Sequence, residues 1–219
     1  MADTTKPAKK ASPVKNGYLI LYNAVSATLW MVVLGRVIGA NVTQGHTFAY
    51  SAVGEFCKWT QTLAGMEVLH SSLGIVRAPL FTTFMQVFSR YAIVWGVTHP
   101  FPYVAASPAY TTMLVAWGTT EVIRYSYFAL TLSGFQPDAL HWLRYHAFFV
   151  LYPLGITSEA LLIWFAVEPA RSVSPLYSTA LWAYVVFVYP PSAYILYTHM
   201  MAQRRKVMKA PQANGKKTQ

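Results

Sequence analysis

Long apolar stretches separated by short polar ones dominate the sequence. Their length matches the roughly 20 residues that an α-helix needs to cross the hydrocarbon core of a bilayer. The pattern therefore predicts an all-α, polytopic membrane protein built as a bundle of six transmembrane helices. The predicted spans are about 18–40, 52–76, 79–97, 109–132, 140–167 and 176–200.

Proline and glycine mark most of the predicted connections between these spans. We expect connections at 99–108, 134–139 and 168–175, where the sequence is HPFPYVAASP, GFQPDA and EPARSVSP. Pro190 and Pro191 instead fall inside the sixth span. Because two successive prolines remove two backbone N–H donors, we expect a kink in that helix.

The composition agrees with a membrane protein and argues against a nucleic-acid-binding one. Of the 219 residues, 55% are hydrophobic and only 11% are charged, while the net charge is +10. Ten of the seventeen Lys and Arg residues lie in two tails, 1–16 and 203–219, which flank the predicted transmembrane domain at 17–202. The positive-inside rule predicts that both tails are cytosolic, and the first is expected to be disordered.

Two further features concern the compartment and the class of site. The chain ends in KKTQ, and lysines at the third and fourth positions from a cytosolic C-terminus resemble the dilysine signal of endoplasmic reticulum membrane proteins. We therefore expect a multi-pass protein of the endoplasmic reticulum membrane. Cys57 is the only cysteine in the chain, which excludes an intrachain disulfide and a multi-cysteine metal site.

Polar residues recur inside the second, third and fourth spans at spacings that place them on one helix face. They are Glu67 and His70, Gln86 and Arg90, and Glu121 and Arg124. Such side chains face the interior of a bundle, where they either line a site or act as interhelical partners worth about 1 kcal/mol each. Glu121 can pair with Arg124 in its own helix, and Arg90 can pair with Glu67 or with Glu121.

The fifth span contains the strongest candidate for chemistry. Tyr152 and Glu159 are seven residues apart, with Pro153 and Gly155 between them. Seven residues are about two helical turns, or about 10.5 Å of rise, so both side chains share one face. Ionisable groups at membrane depth are costly and mark functional sites by default, although Tyr152 as a packing aromatic and Glu159 as an interhelical partner remain the alternative.

A resemblance to a known family rests on three runs of sequence. These are HWLRYHAFFVLYPLGITSEA at 141–160, TEVIRYSYFAL at 120–130 and GMEVLHSSLGIVRAP at 65–79. Together they resemble the very-long-chain (3R)-3-hydroxyacyl-CoA dehydratases, historically called protein-tyrosine-phosphatase-like proteins, over about 18–202. The LYPLGITSE run is the most specific part because it combines two reactive groups at a fixed spacing.

The resemblance implies a function and a set of partners. In that family a tyrosine and a glutamate are catalytic, which here implies Tyr152 and Glu159. The implied reaction dehydrates a very-long-chain (3R)-3-hydroxyacyl-CoA to the trans-2-enoyl-CoA in fatty-acid elongation, which also supplies sphingolipid precursors. No metal or redox cofactor is implied, and coenzyme A enters only with the substrate. Implied partners are membrane lipid and the condensing enzyme, ketoacyl reductase and enoyl reductase of the same cycle.

The chemistry of such a dehydration suits the two side chains. Glu159 in a site of low dielectric can accept the proton from the carbon next to the thioester, while Tyr152 can donate to the hydroxyl or to the thioester oxygen. Gly155, between them, is a supporting candidate. Arg144 and Tyr145 lie near the expected cytosolic end, where Arg144 can meet a coenzyme A phosphate or anchor the helix at the lipid headgroups.

The alternatives are a phosphatase, a scaffold and a transporter. His70, Ser71, Gly74 and Arg77 mimic the HCxxGxxR phosphatase loop, but serine replaces the nucleophilic cysteine and has no evident base, so we do not expect phosphatase activity. A catalytically silent scaffold for elongation enzymes would keep its function without the tyrosine and glutamate pair. A lipid or proton transporter would use glutamates as a relay, but the chain has no inverted repeat.

Overall fold

The computed structural model describes residues 12–209, which are almost entirely helical and contain no strand. This confirms the predicted all-helical fold for that part of the chain. The described helices are α1 (Pro13–Thr43), α2 (Ala49–Leu63), α3 (Gly65–Ser72), α4 (Leu80–Ile93), α5 (Pro108–Leu132), α6 (Asp138–His146), α7 (Phe148–Val173), α8 (Pro175–Ala183) and α9 (Tyr189–Lys209).

Several predicted spans are divided or extended in the structure. The second is divided at Ala64 into α2 and α3, and the fifth at Ala147 into α6 and α7. The third, α4, continues as a wider π-helical turn, Val94–Thr98. Another π-helical turn, Tyr184–Val188, joins α8 to α9 directly before Pro190 and Pro191.

The prediction of a loop at 168–175 is wrong. Helix α7 continues through Pro169 to Val173, so Arg171 lies in its last turn. A proline inside a helix costs one backbone hydrogen bond, but Ala166 and Ala170 are fully buried on either side of it. Their packing outweighs that loss, and the chain turns only at Ser174, whose backbone is extended.

The two ends of the helical region also extend beyond the predicted transmembrane domain. Helix α1 begins at Pro13, inside the predicted N-terminal tail, and α9 continues to Lys209, inside the predicted C-terminal tail. The rest of both tails, residues 1–11 and 210–219 with the terminal KKTQ, lies outside the described residues.

Side-chain contacts show that successive long helices alternate in direction along the bundle. The Asn16 Nδ2 atom donates to the Leu132 carbonyl (3.1 Å), which places the start of α1 beside the end of α5. Arg204 on α9 contacts His146 of α6 at 3.3 Å. We call the end of the bundle defined by these contacts the Asn16 end. At the opposite end, the Tyr177 hydroxyl donates to the Gly96 carbonyl.

The bundle has polar groups inside and large apolar groups outside. Glu121 is fully buried, whereas Phe187 is 64% exposed and Trp164 55% exposed. Such a surface is typical of a protein surrounded by lipid. Three helical stretches are long and apolar enough to cross a membrane, namely Pro13–Thr43, Phe148–Val173 and Pro175–Met208. These features indicate a membrane protein, while the count of six spans stays a prediction.

Candidate active site

Helix α7 brings Tyr152 and Glu159 to one small cavity of about 60 Å³. Tyr152 also lines a neighbouring cavity of about 430 Å³. It therefore lies at the junction of the two, together with Gln86, whose side chain also lines both cavities. The two cavities are therefore adjacent at these residues.

The Glu159 carboxylate is held by two neutral donors. The indole Nε1 of Trp117 on α5 donates to Oε1 at 2.7 Å, and the Tyr189 hydroxyl donates to Oε2 at 2.9 Å. Among the described residues, no Arg or Lys forms an ion pair with Glu159. The carboxylate is thus oriented at both oxygens by neutral groups, and no described cation lies within ion-pair distance of it.

Gly155 lies one turn before Glu159 and leaves space beside it. A Cβ atom at this position would lie 3.9 Å from Glu159 Oε1 and 3.8 Å from the Ala116 Cβ. Because both separations are ordinary van der Waals contacts, a side chain here would fill part of the small cavity without a clash. Gly155 therefore keeps the carboxylate accessible from that cavity.

An ion-pair network occupies the wall beside the carboxylate. Glu121 accepts hydrogen bonds from Arg90 and from Arg124, whose Nε lies 2.7 Å from Oε2. Arg124 also donates to both oxygens of Glu67, at 2.7 Å each, and the Tyr125 hydroxyl donates to Glu67. Two arginines thus balance two glutamates, as buried charges require. Glu121 and Arg124 pair within their own helix, and the partner of Arg90 is Glu121.

This network reaches Glu159 through the Trp117 ring. The Arg90 guanidinium lies over that ring, 4.8 Å from its centroid, while the indole N–H points at Glu159. The electron-rich ring face attracts the cation, so Arg90 and Glu159 together fix the orientation of Trp117. Among the described residues, Arg90 forms no ion pair with Glu159, but both contact Trp117.

Tyr152 has aromatic neighbours but no hydrogen-bond partner among the described residues. Its ring lies 6.3 Å from that of Phe148 and 6.4 Å from that of Tyr197. These contacts hold the ring, and Tyr152 lines both cavities. The phenol is therefore free to donate a hydrogen bond to a bound molecule.

The large cavity extends from Tyr152 to the Asn16 end of the bundle. Its volume falls in the range of about 300–1,000 Å³ that is typical of ligand pockets. Most of its lining is apolar, but Glu67, His70 and Arg124 border one side, and Arg144 lies near the end. Tyr145 lies outside both cavities, where its ring packs 5.0 Å from that of His141.

The phosphatase-like run has no nucleophile arrangement in the structure. The Ser71 hydroxyl donates to the Ala78 carbonyl at 2.8 Å, which closes the turn containing Gly74. His70 contacts the Tyr18 hydroxyl at 2.7 Å. Among the described side chains no base contacts Ser71, so this segment serves as a helix connection.

Two residues that contact the carboxylate were missed by the sequence analysis. Trp117 lies four residues before Glu121 on α5, so extending the predicted stripe of Glu121 and Arg124 by one turn would have reached it. Tyr189 lies directly before Pro190 and Pro191 and follows no such pattern. Only the packing of α9 against α7 brings it to Glu159.

Comparisons with known proteins identify the family of the chain. Residues 61–210 match the family described as protein tyrosine phosphatase-like protein, PTPLA. The chain is 44% identical over 198 residues to a Schizosaccharomyces pombe protein named "Probable very-long-chain (3R)-3-hydroxyacyl-CoA dehydratase", covering 90% of this chain and 95% of that one. It is 35% identical over 215 residues to the mouse very-long-chain (3R)-3-hydroxyacyl-CoA dehydratase 2, covering 91% and 84%.

The chain is also similar to a plant protein. The Arabidopsis thaliana very-long-chain (3R)-3-hydroxyacyl-CoA dehydratase PASTICCINO 2 is 34% identical over 211 residues, which cover 90% of this chain and 95% of the relative. No solved structure matches the chain. The family match covers residues 61–210, and the three relatives are matched over 84% to 95% of their own length. The chain therefore belongs to the protein tyrosine phosphatase-like family, together with the very-long-chain (3R)-3-hydroxyacyl-CoA dehydratases.

Proposed function

We propose that the protein is a hydro-lyase that converts a very-long-chain (3R)-3-hydroxyacyl-CoA to the trans-2-enoyl-CoA. The observation that carries the proposal is the pairing of Glu159, held only by neutral donors, with a free Tyr152 phenol at the same cavity. A base and an acid on one face are what an elimination of water requires. The names of the relatives supply the substrate class.

In the proposed mechanism Glu159 takes the proton from C2 of the acyl chain. The electron pair of that C–H bond forms the double bond between C2 and C3, and the bond from C3 to the hydroxyl oxygen breaks. Tyr152 donates its phenolic proton to this oxygen, so the leaving group departs as water. Transfer of the proton from Glu159 to the Tyr152 phenolate restores both groups. No electron is gained or lost overall, so the reaction needs no redox cofactor. The two side chains would supply both proton transfers without a metal.

The large cavity would hold the part of the substrate next to the reacting carbons. Its lining is mostly apolar and it adjoins the small cavity at Tyr152. The β-hydroxy thioester would then lie between Tyr152 and Glu159, with Gly155 leaving room for it. Gln86, which lines both cavities, would contact the substrate, whereas Glu67, Arg90, Glu121 and Arg124 would support the wall.

The proposed setting is the endoplasmic reticulum membrane. The chain would span the membrane six times, with both basic tails in the cytosol, in accord with the positive-inside rule. Coenzyme A would enter only as part of the substrate. The condensing enzyme that makes the 3-ketoacyl-CoA and the two reductases that precede and follow dehydration would be its functional partners.

The test is turnover of a purified, detergent-solubilised protein. A long-chain (3R)-3-hydroxyacyl-CoA is supplied, and enoyl-CoA formation is followed by mass spectrometry for the wild type, Tyr152→Phe and Glu159→Gln. Because each variant removes one proton-transfer group, kcat should fall by roughly 10²- to 10⁴-fold in each.

Matched controls are available near both residues. Tyr197→Phe removes a hydroxyl from the tyrosine packed beside Tyr152, and Glu168→Gln changes an exposed carboxylate on the same helix as Glu159. Both controls should keep wild-type turnover. A variant of Tyr152 or Glu159 with undiminished turnover would remove that residue from the mechanism, and an inactive wild type would favour a scaffold.

A further inference from the structure

Arg144 lines the large cavity and forms no ion pair with any residue that the structure describes. Its guanidinium lies over the rings of Phe128 and Tyr127, 4.3 Å and 5.0 Å from their centroids. The side chain lines the large cavity near the Asn16 end, and its Nε atom is buried without a hydrogen-bond partner. The aromatic rings fix the plane of the guanidinium but satisfy none of its N–H groups.

No described carboxylate, including Asp138 on the same helix, lies within ion-pair distance of Arg144. Among the described residues, Glu67 and Glu121 are bound to Arg90 and Arg124, and Glu55 is bound to Lys58. Nearby, Arg204 contacts the imidazole of His146 at 3.3 Å and lies over the Phe149 ring, and it forms no ion pair among the described residues. This end of the cavity therefore has an excess of positive charge and unsatisfied donors, both of which favour an anionic ligand.

We propose that Arg144 binds the diphosphate of the coenzyme A part of the substrate, an assignment that rests on the proposed function. Arginine presents parallel N–H donors that match two phosphate oxygens at once. Because the ring stacking already holds the guanidinium in place, little rotamer entropy is lost on binding. Arg144 is thus a positioning residue for the thioester and not a member of the catalytic pair.

The spacing along the chain fits this assignment. Arg144 precedes Tyr152 by eight residues across the division between α6 and α7. A continuous helix of this length would rise about 12 Å, and a bend at Ala147 would only shorten the distance. The pantetheine arm that joins the thioester sulfur to the diphosphate exceeds this distance when extended. With the diphosphate at Arg144, the arm can therefore follow the large cavity and place the acyl thioester at Tyr152.

Binding of non-reactive ligands tests the proposal without turnover. Isothermal titration calorimetry in a maltoside detergent, which contains no phosphate, would compare free coenzyme A, dephospho-coenzyme A and pantetheine. The variant Arg144→Gln should bind the first two about 10- to 100-fold more weakly, because a charge-assisted contact is lost, and pantetheine unchanged. Arg171→Gln, at the far end of α7, is the matched control and should bind all three as the wild type does.

Kinetics provide a second readout. Arg144→Gln should raise KM for the 3-hydroxyacyl-CoA while kcat stays close to wild type, and KM for the corresponding pantetheine thioester should not change. This second substrate also shows that the variant is folded. A wild type that binds coenzyme A as expected but dehydrates neither substrate would contradict the proposed function and leave the binding site standing.

Three outcomes would overturn the assignment. Unchanged coenzyme A affinity in Arg144→Gln would exclude a contact, and weaker binding of coenzyme A alone, with dephospho-coenzyme A unaffected, would place the 3′-phosphate at Arg144. A phospholipid headgroup offers the same phosphate chemistry. If the wild type in phosphatidylcholine nanodiscs bound coenzyme A as weakly as Arg144→Gln does in detergent, the lipid phosphate would be the ligand in the membrane.

Discussion

Of the two buried carboxylates in the part of the chain that the structure describes, Glu121 is bound by arginines and Glu159 is not. Trp117 and Tyr189 satisfy its two oxygens, while Glu67 and Glu121 take up the charge of Arg90 and Arg124. A carboxylate locked in an ion pair is a poor proton acceptor because protonation would leave its cation unpaired. Glu67 and Glu121 are held in ion pairs, whereas Glu159 is bound only by neutral donors among the described residues. Glu159 is therefore better suited than either of them to act as a base.

The Trp117 donor can be removed without removing the ring. Trp117→Phe keeps an aromatic face for Arg90 but deletes the N–H that orients Glu159. We expect kcat to fall roughly 10-fold or more, because a hydrogen bond to a charged group is worth about 1.5–3 kcal/mol, and KM to change little. Steady-state kinetics with the 3-hydroxyacyl-CoA would measure both.

A double-mutant cycle separates this positioning role from a loss of folding. If Trp117 acts through the carboxylate, adding Trp117→Phe to Glu159→Gln should lower the residual rate no further. Additive losses in the double variant would argue for a structural role. Trp164→Phe, which changes an exposed tryptophan on α7, should leave turnover unaffected.

The close packing of α1 against α5 places the network at the centre of the bundle. The buried positions of α1 follow one another at intervals of three and four residues, as in Trp30, Val33 and Val37, which is the seam of two helices packed side by side. On α5, Gly118 faces Leu34. A Cβ atom at Gly118 would lie 3.1 Å from the Leu34 Cβ and 3.3 Å from its Cδ1, so the helices meet here without room for a side chain.

A large side chain at Gly118 should separate these helices. Overpacking costs about 1–3 kcal/mol, so we expect Gly118→Leu to lower the thermal unfolding midpoint of the detergent-solubilised protein by about 2–10 °C. Gly35→Leu is the matched control, because nothing lies within 4 Å of a Cβ at Gly35 on the outer side of α1. Equal midpoints for the two variants would show that the contact with Leu34 is not tight.

Proline had different consequences at different positions along the helices. Pro169 lies inside α7, where the buried Ala166 and Ala170 keep the helix intact. Pro190 and Pro191 lie at the start of α9, directly after the π-helical turn that joins it to α8. The preceding π-helical turn ends with a bond from the Tyr189 N–H to the Tyr184 carbonyl. Local sequence alone did not distinguish these cases, because the deciding contacts come from other helices.

Because successive long helices alternate in direction, the first and last described residues both lie at the Asn16 end of the bundle. The large cavity lies at the same end. The connections at 99–107 and 133–137 lie at opposite ends of the bundle, because α5 joins them. In the proposed topology the first connection faces the lumen and the second faces the cytosol. Coenzyme A esters would then enter from the same side as the basic tails.

Glycosylation mapping would test this topology. Asn-X-Thr acceptors within flexible inserts are placed at 99–107 or at 133–137, and each protein is made in the presence of microsomes. Only the insert at 99–107 should be glycosylated, because the modification occurs in the lumen, and a gel shift removed by glycosidase would report it. Since Asn41, Val42 and Thr43 already match the acceptor pattern, the parent for both inserts is Asn41→Gln.

Glycosylation of the insert at 133–137 alone would show that the topology is the reverse of the proposed one. Modification of both inserts or of neither would contradict a passage of α5 through the membrane. Helix α5 is informative here because it contains Glu121 and Arg124 and is not among the three stretches apolar enough to be recognised as spans by composition.

The sequence by itself determined the helical class, most of the helix positions and the residues of the ion network. Apolar length and the spacing of residues on one helix face are local properties, so Glu67, Arg90, Glu121, Arg124 and the pair of Tyr152 and Glu159 could be found from them. The tertiary structure decided which of these charges neutralise one another, since that depends on distances between helices. It also decided that Trp117 and Tyr189 hold Glu159, because residues 42 and 30 positions away meet only when α5 and α9 pack against α7.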